Sequence, residues 1–221
     1  MNKPFKFLNI ILIALILIGD LFYITIGGLI IKSITSLLFV ALGVVNFIYA
    51  KKSQTPNNKF CTLMLLGLIF AMLGDILLEI EFIVGAALFA IGHVFYFAAY
   101  TSLKKFQIKD LLFAAVIFIP SLLILLFVPV FNFGGTLMQI VCIIYALIIS
   151  LMVGKSISNL TQEKSLLNIL LTVGSCLFFI SDFMLVFNVF ANISVIFGIL
   201  CLSTYYPAEA ILAYSISKSN K

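Results

Sequence analysis

Apolar runs long enough to cross a lipid bilayer follow one another with very little between them, and this leaves the chain few possible folds. They occupy about 5–26, 29–50, 60–80, 82–103, 111–131, 134–154, 166–188 and 192–215. A hydrocarbon core about 30 Å thick takes roughly 20 helical residues to span, and each run meets that length. None alternates with the period of a barrel strand, and backbone groups in lipid must be satisfied within a helix or a closed barrel. The expectation is an all-α integral membrane bundle of eight transmembrane helices, a single domain over 1–221. Composition agrees: 10% of residues are charged and 64% hydrophobic, against roughly 25% charged in soluble domains. The first run follows Lys3 and Lys6 but exceeds the apolar core of a signal peptide and lacks a small-x-small cleavage site, so it reads as a retained span.

The basic residues orient the bundle. All thirteen are lysine. With a cytoplasmic N-terminus, Lys3, Lys6, Lys51, Lys52, Lys59, Lys104, Lys105, Lys109, Lys155, Lys164, Lys218 and Lys221 fall inside and Lys32 alone falls outside. This bias predicts both termini in the cytoplasm. The net charge of +5 then marks topology and contact with anionic membrane lipid, with no nucleic-acid partner implied. Lysine without arginine, with abundant isoleucine and phenylalanine, points to an AT-rich bacterial genome and hence a bacterial cytoplasmic membrane. Cys61, Cys142, Cys176 and Cys201 lie inside spans without CxxC spacing, as packing residues do.

Against this background the ionisable residues inside the spans stand out, because each is costly in lipid unless it has a partner or a function. The stretch Leu73–Tyr100 holds Asp75 at the end of one span, Glu79 and Glu81 in a short turn, and the chain's only histidine, His93, in the next span. Ala71, Asp75 and Glu79 share a helical face, as do Gly85, Phe89, His93, Tyr96 and Tyr100. Gly67 and Gly74 allow close helix approach. Asp20 reads either as an acid hydrated near a helix end or as a cavity group. Lys32 either snorkels to the interface or faces the bundle to pair with an acid or a phosphate. Asn46 reads as a helix–helix hydrogen bond. Pro120 and Pro129 are expected to kink the fifth span, and Pro207 the eighth. In the seventh span Gly174, Ser175, Ser181 and Asp182 form a small, polar face, and in the eighth Tyr205 and Glu209 stack at i, i+4. At 1.5 Å per residue, Asp75 and Asp182 both rise roughly 22–24 Å from the cytoplasmic edge.

Two carboxyls at one depth in a desolvated cavity suit acid–base work, one holding a proton while the other stays ionised. Such a pair cleaves acetal-like C–O bonds through an oxocarbenium-like transition state. No G-x-S-x-G motif is present for a serine nucleophile. One histidine excludes a histidine-rich zinc hydrolase, while a carboxylate-rich metal site is left open. No cofactor is expected.

Gly74-Asp75, the G-H-x-x-Y of Gly92 to Tyr96, Ser181-Asp182 and the T-Y-Y of Thr204 to Tyr206 together resemble the YhhN-like lysoplasmalogenase family, as does Lys32 within I-K-S-I-T. The likeness covers nearly the whole chain. It implies hydrolysis of the vinyl-ether bond of a lysophospholipid, a lysoplasmalogen, to a fatty aldehyde and a glycerophospho-alcohol. It also implies that Asp75 and Asp182 are catalytic. With that reading, Lys32, His93, Tyr96, Tyr205, Tyr206, Asp20, Glu79 and Glu209 are expected to bind substrate or tune the pair, and the apolar walls of spans five to eight to take the alkenyl chain. Glu209 departs from the glutamine expected there in much of the family.

Three other classes compete. An intramembrane aspartyl protease needs Y-D, G-x-G-D and P-A-L, whereas here Met72 precedes Gly74 by two, Ser181 precedes the second acid and the tripeptide is Pro207-Ala208-Glu209. A proton-coupled transporter spreads polar groups through both leaflets, whereas Asp20, Asp75 and Asp182 gather in the outer half. A purely structural protein would have to treat every one of these acids as a solvated helix end.

Overall fold

A computed structural model describes residues 3–52, 57–191 and 193–219. Eight helices follow in order: α1 (Lys3–Ile26), α2 (Leu29–Lys51), α3 (Asn58–Leu78), α4 (Phe82–Leu103), α5 (Ile108–Phe127), α6 (Thr136–Gln162), α7 (Leu166–Val186) and α8 (Ile196–Ser215). A π-turn, Phe187–Ala191, extends α7, and a short 3-10 turn, Ile216–Lys218, follows α8. No strand occurs among the described residues, and all eight helices are long and apolar enough to cross a membrane. Lys221 and residue 192, at the edge of the expected last span, lie outside the described residues.

Helix ends follow local chemistry. The α1–α2 joint is Gly27 and Gly28, at φ 73° and 99°, a region that glycine enters without a Cβ penalty. The side chains of Asn57, Glu81 and Ser165 accept from the backbone N–H groups of Phe60, Ile83 and Asn168 and so cap α3, α4 and α7. Pro129 lies beyond α5, so Pro120 alone sits inside that helix. Val128 is extended, at φ −80° and ψ 114°, the conformation a residue before proline prefers, and the helix ends there. At the other boundary α6 runs on to Gln162, past the expected end at 154. The residues responsible are polar and buried: Lys155 reaches Asp110 at 2.9 Å, and Asn159 donates to the Tyr100 carbonyl at 3.0 Å. Lys155, which served the sequence reading only as a topology charge, is thus a buried ion-pair partner.

Three antiparallel hairpins, α3–α4, α5–α6 and α7–α8, supply the tightest helix contacts. Their centre holds Met64, Leu68, Tyr96, Tyr100, Phe178 and Tyr206, none more than 2% exposed. The outward faces of α1 and α5 carry residues such as Phe7, Ile10, Leu112 and Val116 in the open, which in lipid is a solvated surface. Asn46 donates to Asn9 Oδ1 at 2.8 Å, the helix–helix bond expected of it. The glycine faces expected to pack closely do so: a Cβ at Gly67 would strike the Tyr96 ring, and one at Gly74 would meet Phe89 at 2.9 Å.

Candidate active site

The ionisable residues of the core fall into two clusters with a third acid between them. In the first, Asp75 reaches from α3 toward α2, where Lys32 Nζ lies 3.2 Å from its Oδ1. Ser36, one turn beyond Lys32 on the same face, places Oγ 2.5 Å from Asp75 Oδ2, and Tyr206 of α8 donates to the same oxygen at 3.0 Å. Lys32 also reaches Glu79 at 3.1 Å, and Tyr23 of α1 donates to that carboxylate. The lysine ammonium is buried and paired, as the bundle-facing reading of Lys32 requires, and it does not snorkel. Glu79, just past the end of α3 and partly in the open, is held below the usual carboxylate range chiefly by the Tyr23 hydroxyl and then by Lys32. Asp20 is buried, and its Oδ1 has no hydrogen-bond partner among the described residues. This contradicts the reading of Asp20 as an acid hydrated near a helix end, since the residue is only 6% exposed.

The second cluster joins α4, α6 and α7. Tyr145 donates to Asp182 Oδ2 at 2.6 Å, and His93 Nε2 lies 2.7 Å from the Tyr145 oxygen and 3.3 Å from Asp182 Oδ2. Asp182 Oδ1 takes no hydrogen bond among the described residues. Gly174, Ser175 and Ser181 are buried on the same helix, as the small-residue face predicts.

Between the clusters lies Glu209, fully buried on α8. Tyr96 donates to its Oε2 at 2.8 Å, and its Oε1 has no partner among the described residues. Tyr96 is therefore given to Glu209 and touches neither aspartate. Tyr205 makes only a 3.5 Å contact to the Ala71 carbonyl and acts through its ring. Ring centroids run from Tyr206 to Tyr205 at 4.8 Å, to Phe178 at 5.3 Å and to His93 at 4.6 Å. This aromatic run separates the two aspartates, which share no hydrogen bond and do not meet carboxyl to carboxyl.

A cleft opens beside Asp182. Phe82, Phe89, Leu125, Tyr145, Ile149 and Asp182 line it, so its walls come from α4 to α7, with Leu78 of α3 at one edge. The expected walls of spans five to eight are corrected in part: α4 replaces α8, because α8 is drawn into the core by Glu209 and the two tyrosines. The lining is apolar except at Asp182, Tyr145 and Ser121, the composition of a site for a hydrocarbon with one polar point of contact. Among the described residues no three His, Cys, Asp or Glu side chains are grouped as metal ligands would be.

Ser36 and Tyr23 escape sequence reading, and Tyr145 is legible there only as a span-six hydroxyl that could reach a cavity. Ser36 had a signal, its i+4 position from Lys32. Tyr145 and Tyr23 are hydroxyls within apolar helices with no motif around them, and only the packing of α6 on α4 and of α1 on α2 aims them.

No curated protein matches the chain, and no solved structure does. The sequence profile of the YhhN family matches residues 27–216. That range takes in Lys32, Ser36, Asp75, His93, Tyr145, Asp182, Tyr206 and Glu209, so the cleft and both clusters, Tyr23 of the first apart, are built within it. The chain belongs to the YhhN family.

Proposed function

We propose that this multi-pass membrane protein is an alkenyl ether hydrolase that cleaves lysoplasmalogens to a fatty aldehyde and a glycerophospho-alcohol. The observation that carries the reading is a lone carboxyl, Asp182, set in the wall of an apolar cleft with one oxygen held by Tyr145 and the other unengaged. A vinyl ether is hydrolysed by protonation at carbon, which gives an oxocarbenium ion. Water then adds and loses a proton, and the hemiacetal collapses. A neutral carboxylic acid is a suitable donor for the first step, and an apolar wall holds the alkenyl chain against it.

The roles divide by surroundings. Asp182 has no lysine partner and serves as the acid. Asp75, compensated by Lys32 at 3.2 Å, is the carboxylate that receives the proton from attacking water. The 3.2 Å ion pair gives Lys32 the work of holding Asp75 charged rather than gripping a headgroup phosphate. Family membership fits a hydrolase, and the one-sided cleft favours this reading over proton-coupled transport.

The test is aldehyde release from a lysoplasmalogen by purified protein in detergent, with a saturated ether lysolipid as control. Release is expected from the vinyl ether alone, reduced about 10²- to 10⁴-fold in Asp182→Asn and in Asp75→Asn. Undiminished release by both variants would overturn the assignment.

A further inference from the structure

The carboxyl at the cleft is oriented by a residue that none of the sequence motifs contains. Tyr145 stands on α6 in the cleft wall and touches both other members of its cluster. The hydrogens decide which way the contacts run. The phenol has one hydrogen, and Asp182 Oδ2 lies 2.6 Å away to accept it. His93 Nε2 is 2.7 Å from the phenol oxygen but 3.3 Å from the carboxylate, and an N–H donor favours the nearer acceptor. Nε2–H therefore donates to Tyr145, and Tyr145 donates to Asp182. The other ring nitrogen agrees. His93 Nδ1 is buried without a partner among the described residues, so a ring hydrogen belongs on Nε2, where a partner exists, because on Nδ1 it would be a buried donor left unmade.

We propose that Tyr145 is the positioning residue of the reaction: its hydroxyl, fixed in direction by His93, ties Oδ2 of Asp182 and turns Oδ1 to the alkenyl ether in the cleft. The inference rests on the reading of Asp182 as the acid. A carboxyl free to rotate presents either oxygen; tied at Oδ2, it presents one. In the step itself the O–H bond of Asp182 breaks, a C–H bond forms at the alkenyl carbon, and the electron pair of the O–H bond stays on Asp182. The phenol hydrogen bond then faces a full carboxylate and is stronger than before the transfer. An interaction that strengthens along the reaction raises kcat without tightening substrate binding. His93 acts at one remove, since without its donor the phenol hydrogen loses its fixed direction.

Tyr145→Phe removes one oxygen and keeps the ring in the cleft wall. Two readouts decide the matter. In the kinetics, kcat for aldehyde release is expected to fall about 10- to 100-fold with KM unchanged. In isotope-edited infrared spectra, the carboxyl band that vanishes in Asp182→Asn is expected to move in Tyr145→Phe, and to move less in His93→Gln. A band that stays put in Tyr145→Phe overturns the proposal whatever the activity, and so does an active variant with unchanged kcat. If the wild-type protein releases no aldehyde, the vinyl-ether reading falls by itself, and the band alone then decides whether Tyr145 holds Asp182.

Discussion

Lys32 is only 4% exposed, and it carries its charge there because Asp75 and Glu79 reach it from α3 and the turn beyond. Removing one member of a buried pair leaves the others uncompensated. Lys32→Met is expected to destabilise the fold by about 3–5 kcal/mol, read as the unfolding midpoint in detergent. Adding Asp75→Asn should recover part of that loss, and equal losses in the single and double variants would show the two residues uncoupled. Glu79 supplies a pH dependence. Its carboxylate is favoured in the folded state, chiefly by the Tyr23 hydroxyl, so the stability it contributes is present above the usual glutamate range and is lost as pH falls through its depressed value. Tyr23→Phe removes the largest cause. That variant is expected to lose less stability than the parent between about pH 5 and 3, and a parallel loss in both proteins would contradict this. At this scale the sequence is legible wherever lipid makes a side chain costly. Asp75, Lys32, His93 and Asp182 announce themselves, but Ser36 does not, because a serine hydroxyl can satisfy itself on its own helix, as Ser36 does at the Lys32 carbonyl, and carries no such penalty.

Helix ends and helix contacts obey finer rules than helix existence. Gly85 and Gly67 both face a neighbour too closely for a Cβ, but the obstacles differ. At Gly67 it is the Tyr96 ring, a side chain able to turn; at Gly85 it is the backbone of Leu78, within the same hairpin. Gly85→Ala is therefore expected to cost more than Gly67→Ala, the latter about 1–3 kcal/mol. Thermal unfolding in detergent measures the order, and the reverse order would mean that the α3–α4 backbones separate readily. Gly67→Ala should also disturb the Tyr96–Glu209 bond. The existence of the helices was readable from apolar length alone. What escaped was the extension of α6, since Lys155 reads as a cytoplasmic charge until Asp110 is seen to receive it and Asn159 is seen to donate to the Tyr100 carbonyl. The π-turn after α7 has no composition that marks it, because five apolar and polar residues in Phe187–Ala191 fit an α-turn equally well.

For the whole molecule, the lysine bias predicts which end of the bundle faces the cytoplasm. Single cysteines placed by Asn132→Cys and Lys164→Cys, in a background cleared of the native cysteines, are expected to react differently with an impermeant maleimide on intact cells. Asn132→Cys should label at once and Lys164→Cys only after the membrane is opened; the opposite pattern would invert the topology. Hydropathy conveyed the number of spans because lipid acts on every residue alike, but not which helix lines the cleft, since that depends on how neighbouring faces meet. The two polar clusters draw on different helices, Asp75 with α2 and α8, Asp182 with α4 and α6, and the hairpins α3–α4 and α7–α8 each give one residue to either side. Mechanically these hairpins are levers with an arm in each cluster. A swing of α7–α8 that widened the cleft at Asp182 would also strain the Tyr206–Asp75 contact, so displacement on one side of the aromatic run would register as tension on the other.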